Sequence, residues 1–381
     1  MNRKQSPSIS SFLVPAVPIL MVLICPACGG SSDVPDAGAL VDSATADAET
    51  TATEGGVFAK VDQASGTTEL LQAISIVDEQ TVWVSGHGAT YARTVDGGET
   101  WLAAMMPDAE GLQFRDVHAV DAQTAYLMSA GPGDASRVYK TTDGGASWTL
   151  QHTNPDPEGF YDCMDFWDAE HGALYGDSVA AEFVILTTSD GGESWNRAPA
   201  AALPAALLGE GGFAASGTCL VTGPDGRAWI GTGASSPARV LMTDDMGGSW
   251  TVADTPIVSA SSAGITSVSF RDASHGMIVG GEVTNHEGRF DNVAVTADGG
   301  KTWTLAARPW MSGAAYGSSY VPGAPTPTVV IVGPSGADYS LDNGATWSSL
   351  DSREYWAVAF ASPSAGWAVG RDGRITKLGL R

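Results

Sequence analysis

The side chains of this sequence best able to do chemistry are carboxylates, guanidinium groups and a phenol. Eight of them are candidate ligand-binding residues: Asp162, Asp165, Asp177, Glu210, Arg239, Glu282, Tyr339 and Arg353. Carboxylates interleaved with arginines can hold a sugar or a loop of another protein through charge-assisted hydrogen bonds. Two carboxylates alone, with Asp177 and Glu210 as the pair, would instead suit glycoside hydrolysis, their separation setting the stereochemical outcome. Asp165 lies inside the apolar run Cys163-Met-Asp-Phe-Trp-Asp168. A charge there needs a reason, either a water-filled interior or a backbone donor on a neighbouring element. The polar stretch from Glu282 to Asn292 is rich in oxygen ligands but lacks EF-hand spacing. No His-Glu-x-x-His, phosphate-binding loop, dinucleotide fingerprint or Gly-x-Ser-x-Gly elbow occurs. The expectation is therefore no cofactor, no metal and no catalytic residue.

Composition narrows the partner. The 381 residues carry a formal net charge of −24, which disfavours a phosphate backbone as ligand. Only 16% of residues are charged, while glycine (47) and tryptophan (12) are abundant, the balance of a turn-rich β protein.

The N-terminus reads as an address. Arg3 and Lys4 precede an apolar stretch from Phe12 to Ile24, interrupted by Pro15 and Pro18 and too short to span a membrane as a helix. It runs into Cys25-Pro-Ala-Cys28-Gly-Gly30, which resembles a bacterial lipoprotein signal with Cys28 as the lipidated residue. Residues 1–28 are expected to be the signal segment. Residues 29–56 hold six acidic residues, no basic ones and no aromatics, and are expected to form a disordered tether. The expectation is export to the cell envelope or outer surface, held at the membrane by a lipid anchor. For Cys163 and Cys219, sequence leaves a disulfide and a pair of free buried thiols both open.

The elements that must position these groups repeat. Thr94-Val-Asp96-Gly-Gly-Glu-Thr-Trp101 recurs around Asp143, Asp190, Asp245, Asp298 and Asp342, each followed five residues later by Trp. Successive aspartates are 47, 47, 55, 53 and 44 residues apart. Each carboxylate can accept hydrogen bonds from its own turn, and each Trp offers an apolar face for packing between sheets. These six aspartates are structural fasteners. Upstream of each motif lie two further β runs, such as Ala73–Asp78 and Val82–Gly86, and the tail repeats them at Trp356–Phe360 and Trp367–Gly370. Four strands per repeat predict an all-β, seven-bladed propeller over 57–381, its last blade completed by Val57–Val61.

The repeated element resembles the Asp-box, or bacterial neuraminidase repeat. Together with Gly366-Trp-Ala-Val-Gly370-Arg-Asp-Gly-Arg-Ile-Thr-Lys377 it resembles the photosystem II stability/assembly factor family. That resemblance implies a seven-bladed, non-enzymatic assembly factor. The sequence departs from the photosynthetic members in its acidity and its lipoprotein-like leader. Sialidases share the Asp-box, but their Arg-Ile-Pro signature is missing after Phe114-Arg115 and Phe270-Arg271. The sequence-based reading is a monomeric, non-catalytic propeller binding a cell-envelope protein or glycan. The alternative is a carbohydrate-active hydrolase with its site at the channel mouth.

Overall fold

The computed structural model describes residues 56–381. The expected signal segment, Cys28 and the acidic linker up to residue 55 lie outside these residues.

The described chain forms seven four-stranded antiparallel sheets. Blade one is β2 (Leu71–Ile76), β3 (Val82–Gly86), β4 (Thr90–Thr94) and β5 (Leu102–Met105). Blade two is β6 (Phe114–Ala119), β7 (Ala125–Ser129), β8 (Arg137–Thr141) and β9 (Thr149–Thr153). Blade three is β10 (Tyr161–Phe166), β11 (Gly172–Val179), β12 (Glu182–Thr188) and β13 (Asn196–Arg197). Blade four is β14 (Leu220–Thr222), β15 (Ala228–Gly231), β16 (Arg239–Thr243) and β17 (Thr251–Asp254). Blade five is β18 (Ala263–Phe270), β19 (Gly276–Glu282), β20 (Val293–Thr296) and β21 (Thr304–Leu305). Blade six is β22 (Gly317–Tyr320), β23 (Val329–Gly333), β24 (Gly336–Ser340) and β25 (Ser348–Asp351). Blade seven joins β26 (Ala357–Ser362), β27 (Ala365–Val369) and β28 (Ile375–Leu380) to β1 (Phe58–Gln63). The first strand of each blade touches the first strands of both neighbours, so these seven strands ring the channel.

β1 closes the ring by pairing antiparallel with β28, from Phe58 opposite Leu380 to Gln63 opposite Ile375. Its last residue also ties the seam. The indoles of Trp101 in blade one and Trp367 in blade seven both donate to Gln63 Oε1 at 3.0 Å. Joining the first and last described strands in one sheet closes the ring between first and last blades.

The six Asp-boxes share one geometry. In the first, Asp96 Oδ1 accepts from Thr94 Oγ1 (2.7 Å) and from the Thr100 amide (2.9 Å), and Oδ2 accepts from the Thr100 hydroxyl (2.6 Å). The same set recurs at Asp143, Asp190, Asp245, Asp298 and Asp342. The tryptophans that follow pack between blades. Trp148 meets Trp83 and Tyr91 edge-on, 6.1 and 5.1 Å between centroids. The core is thus a series of inter-blade layers.

Cys163 of β10 and Cys219, just ahead of β14, form a disulfide with Cα atoms 5.8 Å apart. This corrects the reading in which both could be free thiols. Adjacent blades bring the two residues within bonding reach, a distance that 56 residues of sequence separation could not reveal.

Candidate functional site

Each inner strand starts at the face that also carries the second-to-third strand loops and the connections between blades. The opposite, hairpin face carries the first-to-second strand loops and the Asp-boxes. The two mouths of the channel differ.

The connector face is plugged. The connections into blades two and three are residues 106–113 and 154–160, but the one into blade four runs from 198 to 219. It carries Gly211-Gly-Phe-Ala-Ala-Ser-Gly-Thr218 into the channel. Gln72 of β2 donates to the Ala214 carbonyl at 2.7 Å, and the Gly212 amide donates to Asp177 Oδ1 of β11 at 3.0 Å. Ser216 Oγ donates to the Tyr316 carbonyl ahead of β22, and Thr218 Oγ1 to Ser267 Oγ of β18, both at 2.7 Å. A Cβ at Gly217 would sit 2.3 Å from Asp116 Oδ1 of β6, and one at Gly212 would sit 2.6 Å from Asp162 Cγ of β10. A segment meeting inner strands of blades one, two, three and five and the entry to that of blade six lies on the axis. Small residues are what this crowded path admits.

Four of the sequence candidates hold this plug. Glu210 and Arg239 form a buried pair, with Arg239 Nε 2.9 Å from Glu210 Oε1 and Nη2 closing on Oε2. Thr232 Oγ1 and the Leu207 amide donate to the same carboxylate at 2.7 and 2.8 Å. Arg239 also donates to the Ala205 carbonyl at 3.0 Å and lies over the Phe183 ring. Asp162 and Asp177 face Gly211 and Gly212. Burial pushes Asp177 up to about 6, against the Gly212 amide bond that lowers it. Burial and then the Asp177 charge raise Asp162 well above the carboxylate range, outweighing Arg115 and the amides of Gly212 and Ala214. Asp116 is raised well above that range too, by burial and the Asp165 charge, despite amide bonds from Met164 and Val117. A carboxylate pair with raised pKa values therefore exists, but the plug covers it.

These values carry a pH sign. A carboxyl at 3.8 unfolded and about 6 folded gives stability that is full below 3.8 and lost as pH rises through about 6. Asp177→Asn stays neutral and keeps the acceptor. It is expected to raise stability by about 3 kcal/mol at about pH 8 and to change it little near pH 4, as read by urea unfolding at the two pH values. An equal effect at both would show that the carboxyl is not held up by burial.

The remaining candidates scatter. Asp165 points toward the hairpin face, where it accepts from His118 Nδ1 (2.8 Å), the Thr222 amide of blade four (2.7 Å) and the Phe166 amide (2.9 Å). Burial works to raise it, but these bonds hold it below the ordinary range. Glu282 accepts from the Thr284 and Ser262 hydroxyls at 2.7 and 2.9 Å. Arg353 pairs with Asp351 (2.8 Å) and with Asp62 of β1 (2.6 Å). Tyr339 lies within β24 rather than in a loop, its ring 5.3 Å edge-on from Phe58 in the seam between blades six and seven. The structure thus brings together Asp162, Asp177, Glu210 and Arg239, and separates the other four. Among the described residues, no group of three or more His, Cys, Asp and Glu side chains is placed to hold a metal.

The channel is open at the hairpin face, as a cavity of about 600 Å³ between blades three and seven. Its wall includes Asp165, Thr222, Ser269, Arg271, Ser318 and Ser319, backed by the inter-blade core residues Val268, Val358 and Phe360. A hydroxyl chain runs from the plug into this wall: Thr218 to Ser267 (2.7 Å), Ser267 to Ser318 (2.9 Å) and Ser318 to Ser269 (3.1 Å). The connection Val321-Pro-Gly-Ala-Pro-Thr-Pro327 roofs one side. It is anchored by Val321 donating to Thr328 O and by the Asn343 amide of the sixth Asp-box donating to Pro327 O. The aromatic faces here are engaged, Phe270 lying stacked on Trp229 at 3.7 Å. Arg271, whose closest carboxylate contact is Asp272 at 3.8 Å, is the wall's cation. Of this cavity, sequence reasoning singled out only Asp165. The proline-rich stretch was the readable signal, being longer than its counterpart at 77–81.

No protein-family model matches the chain, and no curated protein matches it. Solved structures do. YCF48 bound to D1 peptide is similar at 18% identity and a TM-score of 0.61, over 87% of this chain and 99% of that one. YCF48 from Cyanidioschyzon merolae is similar at 17% identity and a TM-score of 0.59, over 84% of this chain and 98% of that one. An ancestral GH74 enzyme is similar at 12% identity and a TM-score of 0.60, over 82% of this chain but 45% of that one. At such identities these likenesses establish the seven-bladed fold, which hosts both binders and hydrolases.

Proposed function

We propose that this chain is an exported, lipid-anchored propeller that binds an extended segment of a cell-envelope protein in the cavity at its hairpin face, without catalysis. The carrying observation is that cavity, a preformed recess of about 600 Å³ lined by hydroxyls, one cation and the proline-rich stretch 321–327. A disulfide between blades three and four suits an oxidising compartment outside the cytoplasm. The solved structure of YCF48 with a peptide gives the precedent for a propeller of this shape acting as a peptide receptor. A glycoside hydrolase would need its two carboxylates open to substrate. The pair with raised pKa values, Asp162 and Asp177, instead faces the plug's glycines.

The test is selection of displayed peptides on the folded propeller, followed by titration calorimetry. Peptides that bind the parent protein are expected to lose about tenfold or more in affinity with Arg271→Ala and with the filling variant Ser319→Trp. Unchanged affinity in both, or a selection that yields no binding peptide, would overturn the assignment.

A further inference from the structure

A second surface lies far from the channel, at the seam where the ring closes. A groove of about 820 Å³ runs between blades seven and one, lined by residues 62–69, Arg371–Ile375 and Ala103–Met105 of β5. β5 is the outermost strand of blade one and pairs only with β4. Its sequence is Leu-Ala-Ala-Met. The other six outer strands each carry polar or charged side chains, among them Lys60 and Asp62 in β1, Gln151 in β9, Arg197 in β13 and Asp254 in β17. Proteins use such residues to keep sheet edges from pairing with other chains. β5 lacks that protection, with Leu102 and Met105 67% and 61% exposed.

The register shows what the edge offers. Thr90 lies opposite Met105 and Arg93 opposite Leu102, without a bulge, and the Met106 amide donates to the Ala89 carbonyl at 2.9 Å. By the alternation of an antiparallel ladder, Leu102 and Ala104 bond to β4, so the amides and carbonyls of Ala103 and Met105 face outward. The groove's uncompensated charge is negative. Arg371 pairs with Glu354 (2.6 Å) and Asp62 with Arg353, so the carboxylates of Glu69 and Asp372 outnumber the one unpaired cation, Arg374, which donates to the Glu354 carbonyl (2.8 Å). Glu69 and Asp372 are exposed and have no ion-pair partner among the described residues.

We propose that β5 is a docking edge for an extended, basic peptide strand of a partner protein, which adds to blade one as a fifth strand with its cationic side chains toward Glu69 and Asp372. Backbone pairing to Ala103 and Met105 supplies the affinity and the two carboxylates supply the preference. The chain's own residues 29–55 are unsuited, since they carry only acidic charges. This surface is independent of the hairpin-face cavity, and Arg271→Ala leaves it intact.

The test uses the whole chain with the probe acetyl-Lys-Val-Thr-Val-Thr-Val-Lys-amide, followed by amide hydrogen exchange resolved by residue. Saturating probe is expected to slow exchange at Ala103 and Met105 by about tenfold or more while leaving Leu102 and Ala104 unchanged. Met105→Pro removes an outward-facing donor that edge strands can lack, so it is expected to abolish this protection with the blade intact. Glu69→Lys combined with Asp372→Lys, both on the surface, is expected to weaken binding by about tenfold. No protection at about 1 mM probe, or protection that survives Met105→Pro, would overturn the proposal. So would the same protection rising with protein concentration alone, which would assign the edge to a second copy of this chain.

Discussion

Arg239→Ala is expected to destabilise the propeller by about 3–5 kcal/mol, among the largest effects of any single substitution in this chain. The reason is the position of Glu210. Its carboxylate is fully buried and accepts from Arg239, Thr232 and the Leu207 amide, so removing the guanidinium leaves an unpaired charge away from water. The effect should be local before it is global. The 198–219 connection would lose its fastening to β16, and the amides of the plug from Gly212 to Thr218 would exchange faster than those of the blades. Glu210→Gln combined with Arg239→Met, which removes both charges, is expected to recover much of the loss. Urea unfolding with residue-resolved exchange reads both quantities. A cost below about 1 kcal/mol would mean that the pair is solvated and the plug held by other contacts.

Opening the disulfide by Cys163→Ala with Cys219→Ala is expected to cost about 4 kcal/mol by loop closure over 56 residues. For a domain of this size that corresponds to a fall in Tm of roughly 6 °C. The bond joins β10 to the residue that follows the plug, so it fixes one end of the inserted segment while Glu210 and Arg239 fix the other. Because the two fasteners share that segment, their effects should be non-additive in the double-mutant cycle. Tm measured with and without reductant gives the simplest readout. Insensitivity of the parent protein to full reduction would contradict this role.

The sequence reading reached the fold because its cues are local and repeated. An Asp five residues before a Trp dictates the same hairpin each time, and the missing seventh outer strand has one β-like run, before the first repeat, to supply it. Ring closure through Phe58–Gln63 and Ile375–Leu380 follows from that count. The site was less legible because it depends on what fills the channel. Glu210 was read as a mouth residue, yet the glycines and alanines after it carry the chain inward, turning a solvent-facing carboxylate into a buried fastener. Asp165 shows the limit differently. Sequence raised both the channel and a neighbouring blade's backbone as reasons for its charge, and its carboxylate bonds the Thr222 amide while bordering the hairpin-face cavity. Tyr339, a candidate ligand-binding phenol by sequence, is carried by β24 into the seam with Phe58. Arg271 and the serines of the wall belong to different repeats, and no single stretch of sequence announces them.

The most direct test of the central claim is photo-crosslinking in intact cells from a benzoylphenylalanine placed at Ser319, at the cavity wall, compared with one at Leu150 on the outside of blade two. The account predicts one recurrent envelope protein joined through a single segment from Ser319 and not from Leu150, with Arg271→Ala reducing the yield. No protein product from Ser319, or the same products from both positions, would contradict it.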